Sequence, residues 1–138
     1  MNPTELVRLA KTAMQRAYTP YSGYKVGAAL VTKQGDVYLG CNIENAAFGP
    51  SNCAERTAFF TAIAAGETEF ESIAVVGGKD GVVTDIFPPC GVCRQVMQEF
   101  CGPDFMIYMG RGDDSFEAVR LDALLPYGFS AKEYMNET

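Results

Sequence analysis

A chain of 138 residues with 48% hydrophobic and 20% charged residues has the composition of a folded globular protein rather than a disordered one. Its net charge of −6 argues against a nucleic-acid partner, which requires a basic footprint. No apolar run approaches the ~20 residues of a membrane-spanning helix. The length predicts one domain over residues 1–138, able to bury about two-thirds of its unfolded surface.

The N-terminus reads as a helix start, with Asn2 as cap, Pro3 in the first turn and Glu5 reaching back. Leu6, Leu9, Ala10, Ala13 and Ala17 then recur at helical spacing and carry the helix to about Arg16. Pro20 to Gly23 is a loop. Val26 to Thr32 and Val37 to Asn42 read as strands of a β-hairpin around Lys33-Gln34-Gly35-Asp36. Asn45 to Asn52 is a second loop. The alanine-rich stretch from Cys53 to Ala65, stopped by Gly66, suits a buried helix. Ile73 to Val76 is a short β-branched strand that Gly77-Gly78 is expected to close with a turn. Pro88-Pro89 introduces a helix from about Cys90 to Phe100, ended by Gly102-Pro103. Phe105 to Met109 is the next strand, Gly110 to Asp114 a turn, and Phe116 to Val119 a weaker strand. A helical turn follows near Leu121 to Leu125, and Ser130 with Glu133 suits the cap of a last short helix. A hairpin followed by helix–strand units predicts an α/β fold, a three-layer α/β/α sandwich around a mixed, roughly five-stranded sheet.

Five cysteines, an odd number without a signal-peptide pattern, predict free or metal-bound thiols in a reducing compartment, the cytoplasm. Three of them fall into a pattern: Cys53-Ala54-Glu55-Arg56, then Pro89-Cys90-Gly91-Val92-Cys93. A C-x-x-C pair can grip one metal from a single turn, and a third thiol brought in by folding completes a three-ligand site. Structural zinc takes four protein ligands, whereas catalytic zinc keeps the fourth position for water. The chain has no histidine, so thiolates must bind the metal and a carboxylate must move the proton. Glu55, two residues from Cys53, is the candidate. Both motifs lie at expected helix N-termini, where backbone N–H groups and the helix dipole favour thiolate.

With these residues in place, the chain resembles the homotetrameric cytidine deaminases of the zinc-dependent nucleoside deaminase family. The likeness runs through nearly the whole chain in order. It covers Pro20-Tyr21-Ser22, Val26-Gly27-Ala28-Ala29-Leu30, and Cys41-Asn42-Ile43-Glu44-Asn45-Ala46-Ala47. It continues through Asn52-Cys53-Ala54-Glu55-Arg56-Thr57, Pro89-Cys90-Gly91-Val92-Cys93-Arg94-Gln95, and Leu124-Leu125-Pro126 before Phe129. The resemblance implies one Zn²⁺ per subunit on Cys53, Cys90 and Cys93, with Glu55 as the catalytic acid and base that is not itself a ligand. Cytidine and deoxycytidine would be hydrolysed to uridine, deoxyuridine and ammonia, in pyrimidine salvage. It further implies that Arg56 hydrogen-bonds ligand sulfurs and draws off their charge. Asn42 and Glu44 would hold the ribose hydroxyls, and the Ala54 N–H the pyrimidine O2. Tyr24 and Phe129 would pack against the nucleoside. Family members often carry phenylalanine where this chain has Tyr24, and tyrosine where it has Phe48. A homotetramer is implied in which Phe129 and the loop around Phe48 help to build a neighbour's active site.

Other readings of the same residues are a redox dithiol at Cys90 and Cys93, and a structural zinc module with Cys41 or Cys101 as fourth ligand. The first leaves a third cysteine beside a glutamate without purpose, and the second leaves Glu55 and Arg56 so. A blasticidin-type deaminase shares the cysteine motifs, but Asn42-Ile43-Glu44-Asn45 favours a nucleoside. Cys41 and Cys101 are expected to pack as small hydrophobes, as are Met97, Met106 and Met109.

Overall fold

The computed structural model describes residues 1–131. The expected sandwich is present. Its sheet contains β1 (Tyr24–Thr32), β2 (Val37–Cys41), β3 (Phe70–Lys79), β4 (Met106–Gly110) and β5 (Phe116–Arg120), in the order β2-β1-β3-β4-β5. The pairs β1–β2, β1–β3 and β4–β5 are antiparallel, and β3–β4 is parallel. Helices α1 (Pro3–Met14), α2 (Ala54–Ala64), α3 (Gly91–Phe100) and α4 (Leu121–Leu124) complete the described elements.

Strand alternation divides the core in two. Ala29 and Val31 of β1, with Ala74 and Val76 of β3, face α1 through Leu6, Val7, Ala10 and Met14. The intervening residues Val26, Ala28, Leu30, Ile73 and Val75 face the other way. They meet Ala54, Ala58, Phe59 and Ala62 of α2 and Met97 of α3. Period-two side chains on a pleated strand produce this split. The Asn2 side chain accepts from the Thr4 N–H at 2.8 Å, so α1 starts where the cap predicts. Cys101, Met97 and Met109 are buried, as expected of core residues.

The largest boundary difference is in β3, which runs from Phe70 to Lys79 rather than from Ile73 to Val76. Gly77 and Gly78 do not close β3 but lie within it, paired with Val26 and Lys25 of β1. The glycines answer close approach rather than a turn. A Cβ on Gly77 would stand 2.8 Å from the Phe87 ring, and one on Gly78 would stand 1.9 Å from the Val82 carbonyl oxygen. The expected last helix, from Ser130 with Glu133, runs outside the described residues.

Strand direction positions the site. β2 and β3 are each antiparallel to β1 and so run the same way. Helix α2 follows β2, and α3 follows β3. Both helices therefore begin at one edge of the sheet, beyond the carboxyl ends of their strands, where α/β folds place their ligands.

Candidate metal centre and substrate pocket

Cys53 and Cys90 are the N-cap residues of α2 and α3, and Cys93 lies in the first turn of α3. Their sulfurs converge. Cys53 Sγ is 3.6 Å from Cys90 Sγ, Cys90 Sγ is 3.5 Å from Cys93 Sγ, and all three lie within 4.8 Å of one another. A disulfide needs its sulfurs at about 2.05 Å, so these distances do not describe one. Three sulfurs at ~2.3 Å from one tetrahedral ion would stand about 3.8 Å apart, close to what is observed. The donor set and spacing thus fit zinc. Among the described residues no fourth histidine, cysteine, aspartate or glutamate joins the group. Cys41 and Cys101 are not in it, which removes the fourth ligand that a closed structural site would need.

The electrostatics favour thiolate. Arg56, one turn along α2 from Cys53, donates from Nη2 to Cys53 Sγ at 3.2 Å. A hydrogen bond from Cys93, followed by those from Arg56 and Cys90, brings the Cys53 thiol down to about 5 against its burial. Cys93 is pushed up, by that same hydrogen bond with Cys53 and then by burial. In the metal-free protein Cys53 should therefore ionise below the ordinary thiol range, and Arg56→Gln should move that ionisation upward. Ultraviolet thiolate absorbance followed against pH measures both, and an unchanged profile would leave Arg56 without influence on the sulfur.

Glu55 is only 3% exposed. Burial, with the neighbouring Cys53 thiolate adding to it, pushes its carboxyl up to about 7, although its own backbone N–H and Arg56 pull the other way. A carboxyl held near neutrality can both take and give a proton at physiological pH.

A second set of residues lies on the strand exit that precedes α2. The Asn42 side chain is bound to β1 at both ends, accepting from the Val26 N–H and donating to the Tyr24 carbonyl, each at 2.8 Å. Glu44 accepts from the backbone N–H groups of Tyr21 and Ser22, at 3.1 and 3.0 Å, and from the Ser22 hydroxyl. Those bonds, the hydroxyl's first, hold its carboxyl below the usual carboxylate range. Tyr21, Ser22, Glu44, Phe48 and Ser51 line a shallow cavity of about 330 Å³. The backbone of Ile43, between Asn42 and Glu44, pairs with that of Asn52. Asn52 also donates from its side chain to the Thr57 hydroxyl, which donates to the Cys53 carbonyl. The strand exit and the metal-binding helix are therefore joined. Ser22 and Thr57 were visible in the sequence only as parts of longer motifs, since a lone hydroxyl carries no signal of its partner.

Ala54 is fully buried at the start of α2. Tyr24 packs its ring against Phe87 at 6.4 Å, and Phe48 meets Tyr21 edge-on at 6.2 Å. Phe129 and Phe48 remain 64% and 71% exposed, so neither is closed over a pocket within one chain.

Residues 1–109 match the family described as the cytidine and deoxycytidylate deaminase zinc-binding region. This chain belongs to that family. The matched span contains all three clustered cysteines and Glu55. A cytidine deaminase of Sporosarcina psychrophila is 43% identical over 133 residues, covering 96% of this chain and 95% of the relative. One of Halalkalibacterium halodurans is 44% identical over 137 residues, covering 99% and 100%. The crystal structure of cytidine deaminase from Burkholderia pseudomallei superposes with a TM-score of 0.86 at 46% identity, covering 94% of this deaminase and 100% of that chain.

Proposed function

We propose that this chain hydrolyses cytidine and deoxycytidine to uridine and deoxyuridine with release of ammonia, as a step of pyrimidine salvage. The observation that carries the reading is the trio of sulfurs at zinc-binding separations beside the buried carboxyl of Glu55. The test is incubation of the zinc-loaded protein with cytidine, following the ultraviolet change to uridine and the ammonia released. No ammonia from either nucleoside would overturn it.

Cys53, Cys90 and Cys93 would hold one Zn²⁺ per subunit. When bound, zinc supplies a water acidic enough to act as hydroxide near neutral pH. Glu55 takes a proton from the attacking water and passes it to N3 as the oxygen adds to C4. The tetrahedral carbon then bears both OH and NH₂. Glu55 next takes the proton of the C4 hydroxyl and delivers it to the amine, so that the C4 carbonyl forms, the C4–N bond breaks and ammonia leaves; one carboxyl serves as base and then as acid. Arg56 offsets part of the thiolate charge. X-ray absorption should find three sulfurs at ~2.3 Å and one lighter ligand per zinc; four sulfurs would close the site and exclude this chemistry.

Substrate contacts follow from the same placement. The Ala54 N–H, first in α2, has no acceptor within its helix and would donate to the pyrimidine O2. Glu44, kept ionised by Ser22 and Tyr21, would accept from ribose hydroxyls. Asn42 would use the lone pair and the amide hydrogen that β1 leaves over. Tyr24 and Phe129 would pack against the nucleoside. The exposure of Phe48 and Phe129 supports a homotetramer in which they complete a neighbour's pocket, repeated symmetrically. Mixing Glu55→Gln with Phe129→Ala chains under subunit exchange, assayed with cytidine well below KM, should then give more activity than the mean of the two unmixed variants. A fully active monomer by light scattering would exclude shared pockets. The assembly is proposed to work in the cytoplasm.

A further inference from the structure

Arg94 follows the last cysteine of the metal cluster, and none of the chemistry above uses it. Its surroundings are specific. The Arg94 backbone N–H donates to the Cys90 carbonyl at 3.0 Å and closes the first turn of α3. Its side chain then turns both ways. Nε donates to the Pro89 carbonyl and Nη1 to the Leu124 carbonyl, each at 2.8 Å. Pro89 is buried. Pro88 and Pro89 have no N–H to offer the turn, so hydrogen bonds that fix it must come from elsewhere. Leu124 ends α4 and begins the segment that leads to Phe129. Two neighbours on α3 hold the same segment. Gln95 Nε2 donates to the Phe129 carbonyl at 2.9 Å. Gly128 sits so close to Gln98 that a Cβ there would lie 2.9 Å from Gln98 Oε1.

One guanidinium thus ties the turn that presents Cys90 to the segment that presents Phe129. We propose that Arg94 is a positioning residue that makes these two parts of the chain a single rigid unit, so that the aromatic wall a chain lends to its neighbour's pocket is set by the helix that carries two of its own metal ligands. The inference rests on the proposed roles of Phe129 and of the three cysteines. Arginine suits the task because its planar fork reaches two acceptors in fixed directions, which a lysine ammonium on a flexible stem does not. The segment needs such an anchor. It carries Tyr127 in the left-handed region at φ 54° and fully exposed, so side-chain burial at that residue contributes nothing to holding it.

The test compares Arg94→Met, which keeps the length of the stem, and Arg94→Lys, which keeps the charge, with the unaltered protein. Each is checked for zinc content, for cytidine turnover, and for amide hydrogen exchange across residues 121–131. With one zinc retained, KM for cytidine should rise about tenfold, the scale of losing one aromatic wall against a base. The value of kcat should stay within about threefold, because Glu55 and the metal are untouched. Exchange in residues 121–131 should quicken in both variants, and lysine should not restore KM. Unchanged KM and unchanged exchange in either zinc-loaded variant would overturn the proposal. So would loss of zinc with a parallel fall in kcat, which would assign Arg94 to the cysteine turn alone. Failure of the unaltered protein to deaminate cytidine would sink the proposed function instead, and the exchange comparison would still decide whether Arg94 holds the segment to α3.

Discussion

Replacing Glu55 by glutamine is expected to leave the fold and the zinc content intact and to remove nearly all turnover. The side chain is 3% exposed, and glutamine has the same length and nearly the same volume, so the packing of α2 has little reason to change. The charge is lost, but burial already disfavours that charge, and the carboxyl is pushed up to about 7. A neutral amide therefore costs the folded state little. It costs the reaction far more, because an amide can neither accept the proton from water nor deliver one to the amine. General acid–base assistance is worth about 10²–10⁴-fold for one transfer, and here two transfers pass through one group. Single-turnover measurement of ammonia release, with zinc counted in the same sample, checks the prediction. A zinc-replete variant within tenfold of the unaltered rate would move the proton shuttle to another residue.

The sequence was most legible where local pattern and tertiary placement agree. Asn2-Pro3 marked the start of α1 because an N-cap is a local device, and its 2.8 Å bond to the Thr4 N–H is present. Cys53, Cys90 and Cys93 were legible because a three-thiol pattern has few other uses, and both helix starts fell where the flanking residues placed them. Gly77 and Gly78 misled for a physical reason. Glycine marks a turn when the backbone needs a positive φ, and it marks close packing when another atom needs the space of a Cβ. Only the fold reveals Phe87 and Val82 lying over β3. The tie between Asn42 and the β1 backbone was hidden similarly, since a polar residue at a strand exit reads the same whether it faces ligand or chain. Ser22 under Glu44 and Arg94 between two carbonyls depend on partners 22 and 30 residues away, beyond any local pattern.

The second large effect should come from a residue with no chemistry of its own. Gly40, in β2 opposite Ala28, lies directly beneath the metal-binding helix. A Cβ built there would stand 2.3 Å from the Ala54 carbonyl oxygen and 2.5 Å from the Ala58 backbone nitrogen. Both neighbours are backbone, so no side-chain rotation can relieve the overlap. In Gly40→Ala, α2 must therefore move away from β2, by about 1 Å at normal contact distances. That helix carries Cys53 at its cap, while Cys90 and Cys93 sit at the start of the other helix, α3. Moving one helix against the other alters the 3.6 Å separation of Cys53 and Cys90 and shifts Glu55 with it. Overpacking alone typically costs about 1–3 kcal/mol of stability. The functional loss should be larger in proportion, because a misplacement of ~1 Å at reacting groups can cost about 10²-fold in rate. Gly40→Ala should accordingly melt at a lower temperature, lose zinc to a chelator more readily, and retain at most about a hundredth of the turnover even when zinc is supplied in excess. Full zinc retention with unaltered turnover would mean that contact with β2 does not set the position of α2, and that the cysteine cluster holds its geometry from the metal side alone.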